Sequence, residues 1–350
     1  MKTFNIQNLI RENIKSMKPY SSARDEFQDF DKELIFLDAN ENPNENGVNR
    51  YPDPQQKILK SALSEIKRVP INQIVLGNGS DEVLDLLFRA FCEPNIDNVI
   101  TLPPTYGMYG VLANLNAIEN REVLLNKEFE PQIDKILAKV DSKTKMIFLC
   151  SPNNPTGNSF SDESIATLLQ NFNGIVVLDE AYIDFSEKES WLQKINDNPN
   201  LVIVQTLSKA YGMAGIRLGI VYSSTEITAV LNKIKPPYNV NVLTQSKAIQ
   251  YLQNQKTVQQ QIAEIKNQRK LVYKQLLNTS FVAEVYKTDA NFILCKVDDA
   301  NKRYDQLLEN GIVIRNRTND ALCKNCLRLT IGTELENHKL IKVLTTLSGL

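Results

Sequence analysis

The chain has 350 residues, more than one ordinary hydrophobic core supports, so two cores or one large core with a smaller appendage is expected. Its 40 basic and 41 acidic residues leave a net charge of -1, which gives no field to hold a polyanion and argues against nucleic acid or a membrane surface as partner. With His338 as its single histidine, Ser-His-Asp hydrolysis and multi-histidine metal sites have nothing to be built from, and no metal is expected.

From the N-terminus, Lys2, Arg11, Glu12, Lys15 and Lys18 scatter charge through the first twenty positions in place of a basic head and an apolar secretory core. No apolar run reaches the ~18 residues that span a bilayer. The stretch through about residue 36 carries a helical segment and Pro19-Tyr20, and is expected to pack with the C-terminal part or across a dimer. Residues 38–54 are rich in Asn, Pro and Gly and predict an irregular, ordered loop.

Strand-like apolar runs follow at 73–76, 99–101, 121–125, 146–150, 175–178, 202–205 and 218–221. They alternate with helix-length segments and are apolar on both faces, which predicts an α/β fold with a mostly parallel sheet wrapped by helices. Residues 239–277 have helical spacing and few breakers. Short strands at 284–286, 292–297, 311–315 and 327–330 then predict a smaller antiparallel or mixed sheet with helices. The expected division is an N-terminal arm over 1–36, a large domain over 37–240 and a small domain over 241–350.

Cys92, Cys150, Cys295, Cys323 and Cys326 form an odd, scattered set, which fits a reduced cytoplasmic protein better than a disulfide framework. Cys323 and Cys326 have C-x-x-C spacing, but no second pair stands at zinc-site spacing, and they read as ordinary thiols near a strand end.

Five segments carry chemistry. Gly77-Asn78-Gly79-Ser80-Asp81-Glu82 follows a strand and opens an amphipathic stretch; glycines let amides approach an anion and the helix start adds partial positive charge, although a plain turn before a capped helix looks the same. Pro103-Pro104-Thr105-Tyr106-Gly107-Met108-Tyr109 offers an aromatic face at a strand end, with Tyr106 able to stack on a planar heterocycle or simply to fill core. Ser151-Pro152-Asn153-Asn154-Pro155-Thr156-Gly157 follows another apolar strand, and alone it reads equally as a turn. Asp179, in Val177-Leu178-Asp179-Glu180-Ala181-Tyr182, closes a third; an ionised carboxylate there needs a cation or several donors, unless it caps the next helix.

The fifth is Leu207-Ser208-Lys209-Ala210-Tyr211-Gly212-Met213-Ala214-Gly215-Ile216-Arg217. It sets an amine just past a buried strand and a guanidinium eight residues later. Asn154, Asp179 and Lys209 would converge on the edge of a doubly wound sheet where such folds bind ligands.

Together with Leu37-Asp38-Ala39-Asn40-Glu41-Asn42-Pro43, Asn49-Arg50-Tyr51-Pro52 and Leu327-Arg328-Leu329-Thr330-Ile331-Gly332-Thr333, these segments resemble the fold-type I pyridoxal-phosphate enzymes and, within them, the histidinol-phosphate aminotransferases, over nearly the whole chain. The resemblance implies pyridoxal 5'-phosphate as cofactor, with Lys209 as its Schiff-base lysine and proton shuttle, and Asp179 on the ring nitrogen. Asn154 and Tyr182 would bind the phenolic oxygen and Tyr106 would stack on the ring. Arg217, the amides of Gly79, Ser80 and Asp81, and the hydroxyls of Thr206 and Ser208 would hold the phosphate. A bidentate, always charged guanidinium suits that task.

The resemblance also implies a homodimer in which Tyr51 reaches the neighbouring subunit's cofactor phosphate. Arg328 would take the substrate's anionic group, with Arg315 as a second cation and Tyr20 closing over it. Substrates would be histidinol phosphate and glutamate or 2-oxoglutarate, interconverted in histidine biosynthesis. An aromatic amino-acid aminotransferase, a phosphothreonine-type decarboxylase and a non-catalytic cofactor-binding regulator are the rival expectations; no segment is left over to supply the DNA-binding domain that the last would favour.

Overall fold

The computed structural model describes residues 4–20 and 35–349. The apolar runs become strands β1 (Ile74–Asn78), β2 (Asn98–Thr101), β3 (Glu119–Glu122), β4 (Thr144–Cys150), β5 (Ile175–Asp179), β6 (Leu201–Thr206) and β7 (Leu218–Tyr222). They join in one sheet in the order β1-β7-β6-β5-β4-β2-β3. Strands β2 to β6 pair in parallel, while β7 runs antiparallel to both of its neighbours.

Period-two alternation sends successive residues of each central strand into different cores. Ile147, Leu149, Val176, Leu178 and Ile203 face one layer, with Leu59 and Leu63 of α2 (Lys57–Lys67) and Leu168 of α6 (Asp162–Asn171). Phe148, Val177, Val202 and Val204 face the other, with Val83, Leu84 and Phe88 of α3 (Gly79–Phe91), Leu112 of α4 (Met108–Leu115) and Ile227 of α7 (Thr225–Ile234). Completing the helices up to this point are α1 (Glu12–Ser16) and α5 (Ile133–Ala138).

Residues 4–17 lie on the second layer: Ile6, Leu9, Ile10 and Ile14 join its core, and the Arg11 amide donates to Ala90 O at 3.1 Å. These described residues of the arm thus contact the large sheet's layer.

The expected 239–277 helix is two helices, α8 (Val242–Leu252) and α9 (Gln255–Leu277). Asn241 caps the first by accepting from the Thr244 amide, and the chain turns at Gln253 and Asn254 without any glycine or proline. Strands β8 (Val282–Val285), β9 (Phe292–Val297), β10 (Arg315–Asn316) and β11 (Cys326–Thr330) form a second, antiparallel sheet in the order β10-β11-β9-β8. It packs with α9, α10 (Ala300–Glu309) and α11 (Glu334–Leu347) around a third core. Thr333 and Glu336 start α11 with a reciprocal capping box.

The expected 311–315 strand shrinks to two residues. Gly311, at φ +71°, ends α10. Ile312 and Ile314 then pack into the third core, and ladder pairing begins only at Arg315 opposite Arg328. The expected 121–125 strand starts earlier, at Glu119, because β2 pairs with it from Asn98 onward.

Candidate active site

The C-terminal ends of β4, β5 and β6 open on one cavity. Around it stand Ser80 and Asp81 from the start of α3, Tyr106 before α4, and Asn154, Asp179 and Tyr182 from the β4 and β5 ends. Thr206, Ser208, Lys209 and Arg217, from the β6–β7 connection, complete the ring, with Cys150 and Ala181 between them. Ten of the residues expected from sequence are therefore brought together.

Asp179 is 3% exposed. Its Oδ2 accepts from the Tyr109 hydroxyl at 2.7 Å and its Oδ1 from the Ala181 amide at 3.0 Å. Burial still dominates and pushes its carboxyl up to about 6, against the downward pull of those two donors and of Lys209. A cation in the cavity would complete the compensation.

Lys209 faces the cavity and keeps solvent contact. The surrounding protein lowers its pKa by desolvation; Arg328 and Arg217 lower it further, and Asp179 and Asp81 oppose them. Its Nζ stands 5.6 Å from the centre of the Tyr182 ring. Tyr182 is itself braced edge-on against Phe292, with centroids 5.1 Å apart.

Two glycines shape an anion cup at the start of α3. Gly79 sits at φ +80°, donates its amide to Arg217 O at 3.0 Å, and would place a Cβ 2.5 Å from Arg217 Nη2. A Cβ on Gly219 would overlap the Gly79 carbonyl carbon and the Ser80 nitrogen. Close approach of β7 to the α3 start therefore requires hydrogen at both positions. Thr206 Oγ1 and Ser208 Oγ lie 3.0 Å apart beside the cup. Among the described residues the Arg217 guanidinium meets Asp81, at 3.8 Å, and the Ala214 carbonyl, at 3.4 Å, which leaves most of its donors facing the cavity. The Asp81 carboxylate is also held by the Tyr106 hydroxyl at 3.0 Å.

From the second sheet, Arg328 donates through Nη1 to Asn154 Oδ1. Its guanidinium carbon lies 5.2 Å from the centre of the Phe292 ring. Burial lowers its pKa from the ordinary guanidinium value.

Three expected residues lie elsewhere in this chain. Tyr51 stacks on Tyr238 at 4.5 Å in a separate cleft with Asn40 and Asn49. Tyr20 is 74% exposed. Arg315 is exposed, across the ladder from Arg328.

Tyr109 closes the aromatic segment singled out from sequence but was given no role there; the structure puts its hydroxyl on Asp179. Its ring meets that of Tyr106 edge to face at 5.6 Å.

A family model described as "Aminotransferase class I and II" matches residues 25–344. The chain is 68% identical over 349 residues to the histidinol-phosphate aminotransferase of Flavobacterium johnsoniae, covering 99% of this chain and 100% of that one. Among solved structures it is similar to the histidinol-phosphate aminotransferase of Clostridium acetobutylicum, with a TM-score of 0.80 and 26% identity over 86% of this chain and 91% of the other. The histidinol-phosphate aminotransferase of Sinorhizobium meliloti, solved in complex with pyridoxal-5'-phosphate, shares the fold at TM-score 0.77 and 23% identity, covering 85% and 83% of the two chains.

Proposed function

The chain belongs to the class I and II aminotransferases, and from that premise we propose that it moves an amino group between L-histidinol phosphate and 2-oxoglutarate, giving imidazole-acetol phosphate and L-glutamate in histidine biosynthesis. Lys209 and Asp179 carry the assignment: an amine of lowered pKa and a carboxylate 3% exposed, still short of a cation, face one cavity.

The residues fit pyridoxal 5'-phosphate. Asp179, with two donors and a raised pKa, is suited to a protonated ring nitrogen, and the glycine-shaped cup with Arg217, Ser80, Thr206 and Ser208 is suited to a phosphate. Tyr106, at the cavity wall, offers a stacking face. When bound, the cofactor supplies an aldehyde that takes up the amino group and a ring that withdraws electrons from the carbon being deprotonated.

The chain's own residues do the rest. Lys209 Nζ, its pKa lowered toward neutrality, takes the proton from the amine-bearing carbon and returns one. Asp179, held by Tyr109, stays charged beside a cation. Asn154 and Tyr182, on the cavity wall, would hold the ring's phenolic oxygen, and Asn154 also accepts from Arg328. Arg328 takes the anionic group of either substrate, with Arg315 as the outlying cation and Tyr20 as a closing side chain.

On this assignment residues 37–240 hold the cofactor, 241–350 carry the substrate arginines, and 1–36 form an arm. Two copies pair, each lending Tyr51 to its neighbour's phosphate. The exposed Val48, Tyr51 and Leu243 about the Tyr51 cleft support such a contact. The buried, unpaired cysteines suit a reducing cytoplasm.

Specificity constants for histidinol phosphate and phenylalanine test the substrate. A ratio of about 100 or more is expected, because a charge recognised by desolvated arginine discriminates more strongly than aromatic fit. A ratio near one would mark an aromatic aminotransferase, and carbon dioxide release from phosphothreonine without a glutamate half-reaction would mark a decarboxylase.

A further inference from the structure

Among the described residues, the only buried side-chain nitrogens with no hydrogen-bond acceptor are Nε of Arg317 and Nε of Arg328. Buried donors are seldom left unmade in native proteins, and each is costly when it is. The two orphans belong to guanidinia near enough to sense one another's charge, and a single multidentate anion could accept from both. We propose that Arg317 is a specificity-determining residue that selects a phosphate monoester over a carboxylate, donating through Nε to a phosphate oxygen beside Arg328. The inference rests on the phosphorylated substrate proposed above.

The second sheet builds this arrangement. Arg315 and Arg328 are register partners on β10 and β11. Arg317 follows Arg315 by two residues, so the strand period puts it on the same side, and its amide continues the ladder to Cys326 O at 2.9 Å. Its outer end forms an ion pair, with Nη2 2.6 Å from Asp320 Oδ2, an oxygen that itself makes no hydrogen bond, and Nε remains a free donor. Arg328 is held by Asn154, with its own Nε left over.

Charge points to the same ligand. Three guanidinia against the Asp320 carboxylate leave two positive charges, which match a phosphate monoester of about -1.5 to -2 at neutral pH and exceed the single charge of a carboxylate. The cations also sense one another: after burial and the opposing pull of Tyr182, Arg317 and then Arg315 lower the Arg328 pKa. A dianion set between them relieves that repulsion. A carboxylate is satisfied by Arg328 and Asn154, so Arg317 contributes little to glutamate.

The test uses holoenzyme carrying Arg317→Gln or Arg317→Lys, with each half-reaction measured separately. For Arg317→Gln, kcat/KM for histidinol phosphate should fall roughly 10- to 100-fold, the loss expected of a charge-assisted hydrogen bond, while the glutamate value stays close to wild type. Arg317→Lys, which keeps the charge without the Nε donor, should recover part of the loss. Competitive inhibition of the glutamate half-reaction by inorganic phosphate should weaken in the same order. Equal losses for both substrates, or none, together with unchanged phosphate inhibition, would overturn the role. Wild-type enzyme that ignores histidinol phosphate would defeat the proposed function instead, and phosphate inhibition would still decide the place of Arg317.

Discussion

The Tyr109 hydroxyl donates to Asp179 Oδ2 at 2.7 Å from a ring with no solvent exposure. That ring is stacked on Phe148 at 4.9 Å, and Phe148 on Phe88 at 5.2 Å. A column of aromatic packing thus fixes the donor that keeps the buried carboxylate partly charged. Burying each such side chain contributes roughly 1.5–3 kcal/mol, so the column's rigidity comes from the core itself.

Tyr109→Phe keeps the stack and removes the donor. The Asp179 carboxyl should then rise above its value of about 6, so that less of it is ionised at neutral pH. Cofactor affinity should drop by about tenfold, the worth of one buried hydrogen bond to a charged group. Fluorescence titration of apoprotein with pyridoxal phosphate checks this, and unchanged affinity would mean that the bond does not tune Asp179.

Asp179→Asn separates the cost of the buried charge from its use. A carboxyl raised from 3.8 to about 6 is a group that the fold prefers protonated. Its favourable contribution is complete below the unfolded value and is lost as pH climbs through the folded one. Cofactor-free Asp179→Asn should therefore be more stable than cofactor-free wild type at neutral pH, by up to roughly 3 kcal/mol. The two should converge as the pH falls to the ordinary carboxylate range. Urea unfolding across that pH range is the measurement, and a variant less stable at neutral pH contradicts the assignment.

Gly219→Ala pushes a methyl into the Gly79 carbonyl carbon and the Ser80 nitrogen. The cup must widen, so cofactor phosphate binding should weaken and stability fall by about 1–3 kcal/mol. Gly215→Ala, with nothing within 4 Å of the added carbon, is the control and should change neither. Thermal midpoints and cofactor dissociation constants of both variants decide the matter.

Arg328→Ala removes the cation beside Asn154. Both anionic substrates should bind at least about tenfold more weakly, while the cofactor and its visible spectrum stay in place. Loss of the cofactor would move Arg328 into the cofactor's own shell.

Lys209, Asp179 and Asn154 were legible in the sequence because each ends or follows a run too apolar to be anything but a buried strand, and parallel strands deliver such ends to one edge. Tyr109 was not, since its bond to Asp179 depends on a tertiary stack against Phe148. Arg317 carried no signal in the sequence, because its orphan Nε is visible only in three dimensions. The β-branched run Ile312-Val313-Ile314 suggested a strand, yet Ile312 and Ile314 serve core packing and ladder pairing starts only at Arg315. The turn at Gln253 and Asn254 gave no breaker signal, because the helix direction there is set by what α8 and α9 pack against.

The central claim is that the Lys209 amine carries the cofactor in the act of transferring an amino group. Purified enzyme reconstituted with pyridoxal phosphate, reduced with borohydride and digested, should show the mass of the reduced cofactor on the peptide containing Lys209, and glutamate added before reduction should abolish the label. A label on a different lysine, or none at all, contradicts the account.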